Sequence, residues 1–267
     1  MLGAGCGSAP SSSSTSGTAA ATATAGGATA AQTIEGRELD RFPAVKPPAT
    51  LTLPPAPTAP RVERAYLKAL FDDAQRVWRR EFAAADLSYQ PARLVIFWSV
   101  TQSPCGRHQE GAGPFYCPPR WVYLDTRFFT EMLRIRGVGA AAQAYIVGHE
   151  IAHHVQRLVG IADRVNAANE ADPAGRNGRS VQIELQADCL AGVWARSAFP
   201  RSELTETDLR EAIRAAELIG DDYATRAAGK PVDRTLFTHG SSEQRQGWLA
   251  TGFLGGRPGA CDTFTDG

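Results

Sequence analysis

Apolar residues recur at helical spacing through much of the chain and cluster in short runs elsewhere. Val62, Tyr66, Ala69, Leu70, Val77 and Phe82 share one side of a helix expected from about Arg61 to Ala85. The run RLVIFWSV, Arg93 to Val100, is apolar and β-branched and predicts a buried strand; Trp121 to Leu124 predicts a shorter second one. A helix is expected to follow over Asp125 to Arg136. Gly139 to Leu158 contains no proline and carries two stripes. Val147, Ile151, Val155 and Leu158 form an apolar one, and Tyr145, His149, His153 and Gln156 a polar one, so one face serves a core and the other is free for chemistry. The segment is too polar to span a membrane. Asp163 to Gly178 is polar and rich in Gly and Asn, and is expected to be a loop. Ser180 to Ala198 predicts a helix, and Thr207 to Ala228 one helix or a pair. Ser241, three residues before Gln244, resembles a capping box that opens a last helix to about Leu254. No internal repeat is present. The sum predicts an α+β fold, a mostly helical domain with a small β-sheet.

Residues 1–60 break the pattern. Ser8 to Ala31 is a tract of Ser, Thr, Ala and Gly, and Pro43 to Pro60 is proline-rich. Neither composition buries enough apolar surface to offset the entropy of ordering. The expected organisation is a disordered tether over 1–60 and one folded domain over 61–267. From Cys6 to Pro60 a flexible chain has a typical end-to-end distance of roughly 40 Å. Leu2-Gly3-Ala4-Gly5-Cys6 resembles the end of a bacterial lipoprotein signal, in which small residues precede a Cys that is cleaved and lipidated. Leu2 sits one place further upstream than that signal has it, and no basic or long apolar region precedes it. Cys6 is the expected lipidation site.

The 267 residues include 28 Lys+Arg and 28 Asp+Glu. This balance gives no reason to expect nucleic acid or an anionic surface as partner.

The chemistry concentrates in Gly148-His149-Glu150-Ile151-Ala152-His153-His154, which contains H-E-x-x-H. On a helix, His149 and His153 stand one turn apart on one face, where two imidazoles hold one zinc and Glu150 points to its open side as a general base. His154 is rotated about 100° away from His153 and is expected to pack or face solvent. A catalytic zinc takes three protein ligands. Glu184 and Asp188 are i and i+4 on the next long helix, and two bare carboxylates there would repel each other. A cation and a ligand imidazole remove that penalty: Glu184 ligates, and Asp188 accepts the other ring N–H of a ligand His. Ala187, Ala191 and Ala195 let this helix pack close to the His149 helix. Glu170 and Asp172 are rival ligands from the expected loop.

With Cys6 set aside, Cys105, Cys117, Cys189 and Cys261 remain, and four cysteines allow three pairings. Cys105 and Cys117 flank a Gly/Pro-rich loop and most simply pair, leaving Cys189 with Cys261; such bridges persist outside the cytoplasm. His108, inside that loop, either lines a cleft or lies at the surface, and the surface is the expected place.

Taken together, CGRHQEGAGPFYCPPRWVYLD, YIVGHEIAHHVQ, ELQADCLAGVWA, AIRAAELIGDD, HGSSEQRQGWLATGF and GACDTF resemble the putative neutral zinc metallopeptidase family of bacteria. They run from about Cys105 to Phe264. The resemblance implies a zincin-type α+β fold and a single zinc per chain, with His149, His153 and Glu184 as ligands and Glu150 as base. The N-terminal tether is not part of the family pattern. The expected function is an extracytoplasmic zinc endopeptidase acting on a peptide or protein and held to the membrane of the bacterial envelope by a lipid on Cys6. His239, just before the last helix, is the candidate for stabilising the oxyanion. The rivals are a non-catalytic zinc-binding envelope lipoprotein, which has no need of Glu150, and a zinc amidase acting on cell-wall peptide.

Overall fold

A computed structural model of the chain describes residues 36–46, 62, 64–198 and 206–264. Cys6 and most of the expected tether lie outside the described residues. The first long helix, α1 (Arg64–Ala84), forms on the spacing read above and buries Leu67, Leu70, Phe71, Ala74, Val77, Trp78 and Phe82. It closes at Asp86, whose φ of 56° lets Leu87 N–H reach Phe82 O at 2.8 Å.

The sheet is small. Strands β1 (Arg93–Phe97), β4 (Phe115–Cys117) and β5 (Trp121–Asp125) lie in the order β1-β5-β4, with β1 parallel and β4 antiparallel to β5. Strands β2 (Thr101–Ser103) and β3 (Gly106–His108) make a separate hairpin. Alternation along β5 gives its two faces different work. Val122 and Leu124 join the main core, while Tyr123 joins Phe97, Phe115 and Cys117 in a second cluster. A disulfide joins Cys105 to Cys117 beside that second cluster.

The helices are α2 (Thr126–Met132), α3 (Ala140–Leu158), α4 (Ile161–Ala171), α5 (Arg176–Ala198), α6 (Glu206–Leu218), α7 (Asp221–Ala227) and α8 (Ser242–Gly255). Asp125 caps α2 by accepting Arg127 N–H at 2.9 Å, and the capping box at Ser241 and Gln244 is present at the start of α8. Helix α5 is gripped from two sides. Toward α3, a Cβ on Gly148 would stand 2.8 Å from the Trp194 ring and 3.4 Å from Ala191. Toward α8, Cβ atoms on Gly192 or Gly252 would run into the opposing backbone. Of the alanines expected at the α3 contact, Ala191 meets Gly148; the close approach to α8 belongs to glycine. Among the described residues no helix is long and apolar enough to cross a membrane.

Two expectations are corrected. Asp163 to Gly178 is not a loop: α4 fills residues 161–171, and α5 starts at Arg176 after a short 3-10 turn over Pro173–Gly175. Ile161 and Val165, i and i+4, are both buried, and the alanines between and after them favour a helix that Asn and Asp do not prevent. Nor is all of 1–60 a tether. Gly36–Arg41 forms a 3-10 helix, and Leu39, Phe42 and Val45 are buried against the main core. Phe42 packs edge-on to Trp78 and Phe82, with ring centroids at 6.0 and 5.0 Å. Cys189 is joined to Cys261 in the C-terminal 3-10 turn Pro258–Cys261, which fastens the chain end to α5.

Candidate metal centre

Helix α3 brings His149 and His153 to one face, and α5 lays Glu184 across from them. His149 Nε2 lies 3.1 Å from His153 Nε2 and 3.1 Å from Glu184 Oε2, and His153 Nε2 lies 3.4 Å from Glu184 Oε1. Ligand atoms at zinc distances on a tetrahedron are separated by roughly 3.3–3.5 Å. The outer nitrogens are already committed. His149 Nδ1 faces Asp188 Oδ1 at 2.8 Å, and a carboxylate only accepts, so Nδ1 carries the proton. His153 Nδ1 faces Gln156 Oε1 at 2.9 Å, while the Gln156 amide nitrogen donates to Ile183 O and Gln186 Oε1. Both Nε2 lone pairs and the Glu184 carboxylate therefore converge with no donor among them, the chemistry of a cation site. Burial alone would lower the His149 imidazolium, but Asp188 and Glu184 outweigh it and push it up to about 10, so a proton takes Nε2 wherever a metal does not. Burial alone would raise Glu184, yet His153 and His149 hold its carboxyl well below the usual range.

Charge fits as well. Glu150, Glu184 and Asp188 are buried carboxylates, and Arg245 is the buried guanidinium beside them. With both imidazoles neutral the cluster carries two negative charges, the complement of one divalent cation. Asp188 collects four donors: Tyr145 Oη at 2.5 Å, His149 Nδ1, and Arg245 Nε and Nη2 at 2.8 and 2.9 Å. The residue expected behind a ligand imidazole thus stands there, held by Tyr145 of the polar stripe and by Arg245, which was given no role in the sequence reading.

Glu150 borders the same pocket, and among the described residues no donor reaches its carboxylate. Burial raises its pKa, as the adjoining Glu184 does, against the opposite pull of His149, His153 and Arg245. Pro114, Phe115, Phe128, Ile146 and Ile219 form the apolar side of the pocket, which opens to solvent. His239 lines it too. His239 sits in a turn that Asp221 organises: Asp221 Oδ2 accepts the backbone N–H groups of Thr238, His239 and Gly240 at 2.7, 2.6 and 3.0 Å, and Oδ1 lies 3.1 Å from His239 Nδ1. His239 Nε2 has no protein partner among the described residues.

His154 is fully buried, between Tyr116 Oη and Gln90 O at 3.0 and 2.7 Å, and burial lowers its pKa. His108, expected at the surface, instead stacks on Phe115 with centroids 3.8 Å apart. The rival ligands stay apart from the centre: Glu170 is exposed on α4, and Asp172 pairs with Arg179 at 3.1 Å. Among the described residues, His149, His153 and Glu184 are the one group able to hold a metal ion. Arg245 is the residue sequence reasoning missed. Its signal was position: it stands one turn before Leu249 and two before Gly252, on the buried face of α8, where a solvent-facing Arg does not belong.

A family described as "Putative neutral zinc metallopeptidase" matches residues 50–264. The chain is 39% identical over 202 residues to "Uncharacterized protein YpfJ" of Escherichia coli (strain K12), covering 74% of this chain and 70% of that one. It is 36% identical over 190 residues to "Uncharacterized protein Rv2575" of Mycobacterium tuberculosis (strain H37Rv) and to "Uncharacterized protein Mb2605" of Mycobacterium bovis, covering 66% of this chain and 64% of each relative. No solved structure matches the chain.

Proposed function

The chain belongs to the putative neutral zinc metallopeptidase family, and from that premise we propose that it is a zinc-dependent endopeptidase working outside the cytoplasm. The observation that carries this reading is the convergence of His149 Nε2, His153 Nε2 and Glu184 beside a buried Glu150 whose carboxylate no donor reaches among the described residues. A purely structural site has no use for that second carboxylate. Zinc bound there would lower the pKa of a water and polarise a scissile carbonyl. Glu150 accepts the proton of the attacking water and hands it to the leaving amine, a task its upward-shifted pKa suits. Asp188 keeps the His149 proton on Nδ1, so that Nε2 offers its lone pair. His239, its Nδ1–H held by Asp221, donates from Nε2 to the oxygen that gains negative charge when the ring carries both protons. The two disulfides support an oxidising compartment, and a lipid on Cys6 would hold the enzyme to the envelope.

The test uses the full chain. Elemental analysis should find one zinc per chain, and a proteome-derived peptide library should be cut by the zinc-loaded protein and spared in chelator. Glu150→Gln should keep its zinc and lose turnover by about 10²–10⁴-fold. Metal-replete protein without zinc, or a Glu150→Gln variant as fast as wild type, overturns the reading.

A further inference from the structure

The segment CGRHQEGAGPFYC supplies no metal ligand, yet it builds one side of the pocket. Its disulfide closes the loop at Cys105 and Cys117. Inside the loop, His108 lies nearly parallel to the Phe115 ring, 21° from coplanar, and its Nε2 stands 2.7 Å from Gly113 O, to which it donates. Tyr123 stacks on the other face of Phe115, 4.6 Å away and 5° from parallel. Phe115 is thus clamped between two rings and cannot swing out of the wall. Gly113 lies flat on Phe128: a Cβ there would stand 3.0 Å from that ring, and the φ of 80° suits glycine alone. Phe128 in turn stands on α2, whose start is fixed by Asp125. Ile146, one turn before Glu150 on α3, continues the same surface.

Apart from Glu150, the charged groups around this wall are already matched. Arg245 is spent on Asp188, Asp221 faces His239, and Glu110 of the loop pairs with Arg127. A carboxylate on a bound peptide would meet Glu150 and Glu184, a cation would stand beside a bound metal ion of like charge, and either is desolvated against the Phe115 and Phe128 rings, which offer no polar partner.

We propose that this wall is a specificity subsite: the enzyme takes peptides with an apolar side chain, aliphatic or aromatic, beside the scissile bond, and Phe128 and Ile146 set the size accepted. The proposal rests on the peptidase reading above. His108 is a positioning residue, acting through Phe115. Burial lowers its pKa, so the ring stays a neutral stacking partner.

The experiment compares zinc-loaded wild type with Phe128→Ala, the milder Ile146→Val, and His108→Ala, all as full chains. The substrates are quenched-fluorescent peptides that differ only in the residue on each side of the cleaved bond. Wild type should favour Leu, Ile or Phe over Ala, and over Asp and Lys, on one of those sides by on the order of 10–100-fold in kcat/KM. Phe128→Ala should raise the Trp-to-Leu preference ratio about tenfold, and Ile146→Val should move it the same way by less. His108→Ala should weaken the apolar preference while zinc content stays at one per chain. Ratios between substrates are unaffected by a general loss of active protein, so a partly folded variant still reports. Cleavage with equal preference for charged and apolar residues overturns the proposal and leaves the peptidase reading standing, as does a preference ratio that neither Phe128→Ala nor Ile146→Val moves. No cleavage of any peptide by wild type overturns both.

Discussion

Replacing Arg245 by Met removes the guanidinium and keeps most of the side-chain volume. Arg245 and Asp188 are 1% and 0% exposed, and two of the four hydrogen bonds on the Asp188 carboxylate come from Arg245. The variant leaves that carboxylate buried with only Tyr145 and His149 as donors. Stripping one partner from a buried ion pair costs about 3–5 kcal/mol, because the other charge is stranded. For a domain of this size that lowers Tm by about 6–20 °C. Urea unfolding with the disulfides intact measures it, once in chelator and once in excess zinc. The deficit should be full in chelator and smaller in zinc, since a divalent cation bound to His149, His153 and Glu184 offsets part of the surplus negative charge. The double variant Arg245→Met, Asp188→Asn strands no charge and should be more stable than Arg245→Met alone. A loss below about 1 kcal/mol in chelator, against the 3–5 expected of a stranded buried charge, would refute the reasoning; so would a double variant less stable than the single.

Three further outcomes are expected. In a zinc titration against a competing chelator, Glu184→Ala should retain almost no metal. Asp188→Ala should bind 10–100-fold more weakly, a range typical of groups that orient a ligand, and Glu170→Ala and Asp172→Ala should bind like wild type. Asp222, which accepts Ser242 N–H and Oγ–H and pairs with Arg226, is held down to about 2 against the upward pull of burial. Its depressed folded-state pKa gives stability that is present above the ordinary Asp range, near 4, and is lost as pH falls toward 2; acid unfolding of Asp222→Asn should show a shallower dependence over that window. Gly192→Ala should lose at least the 1–3 kcal/mol typical of overpacking, because its methyl would enter backbone of α8 that has no way to give; urea unfolding reads it.

The grouping of His149, His153 and Glu184 was legible because it follows from one number, the helical repeat. That repeat puts His149 over His153, and Glu184 over Asp188, without any knowledge of how α3 meets α5. The order of the two carboxylates was also readable, since a ligand His needs an acceptor behind it. Arg245 was not readable, because its role depends on α8 lying against α5, and that contact is set by Gly192 and Gly252, residues with no side chain to advertise it. The helix at 161–171 was missed by weighing its Asn and Asp residues above Ile161, Val165 and the alanines. Residues 36–46 were missed for a related reason: Leu39, Phe42 and Val45 are too few and too near prolines to show a period, and what holds them is a surface supplied by α1 and the C-terminal turn.

That packed segment changes how a pull on the N-terminal side is carried. Val45 N–H bonds Gly256 O at 2.8 Å, Asp40 lies against Gly259, and Glu38 pairs with Arg164 of α4 at 2.7 Å. The segment therefore docks on the same turn that Cys261 bolts to α5, the helix of Glu184 and Asp188. A load applied on the N-terminal side of this segment would be delivered to a seam where both described ends of the chain meet, and spread over a hydrogen-bonded turn and a covalent crosslink before reaching α1. The first described segment and the C-terminal turn are in this way fastened together beside the helix that carries Glu184.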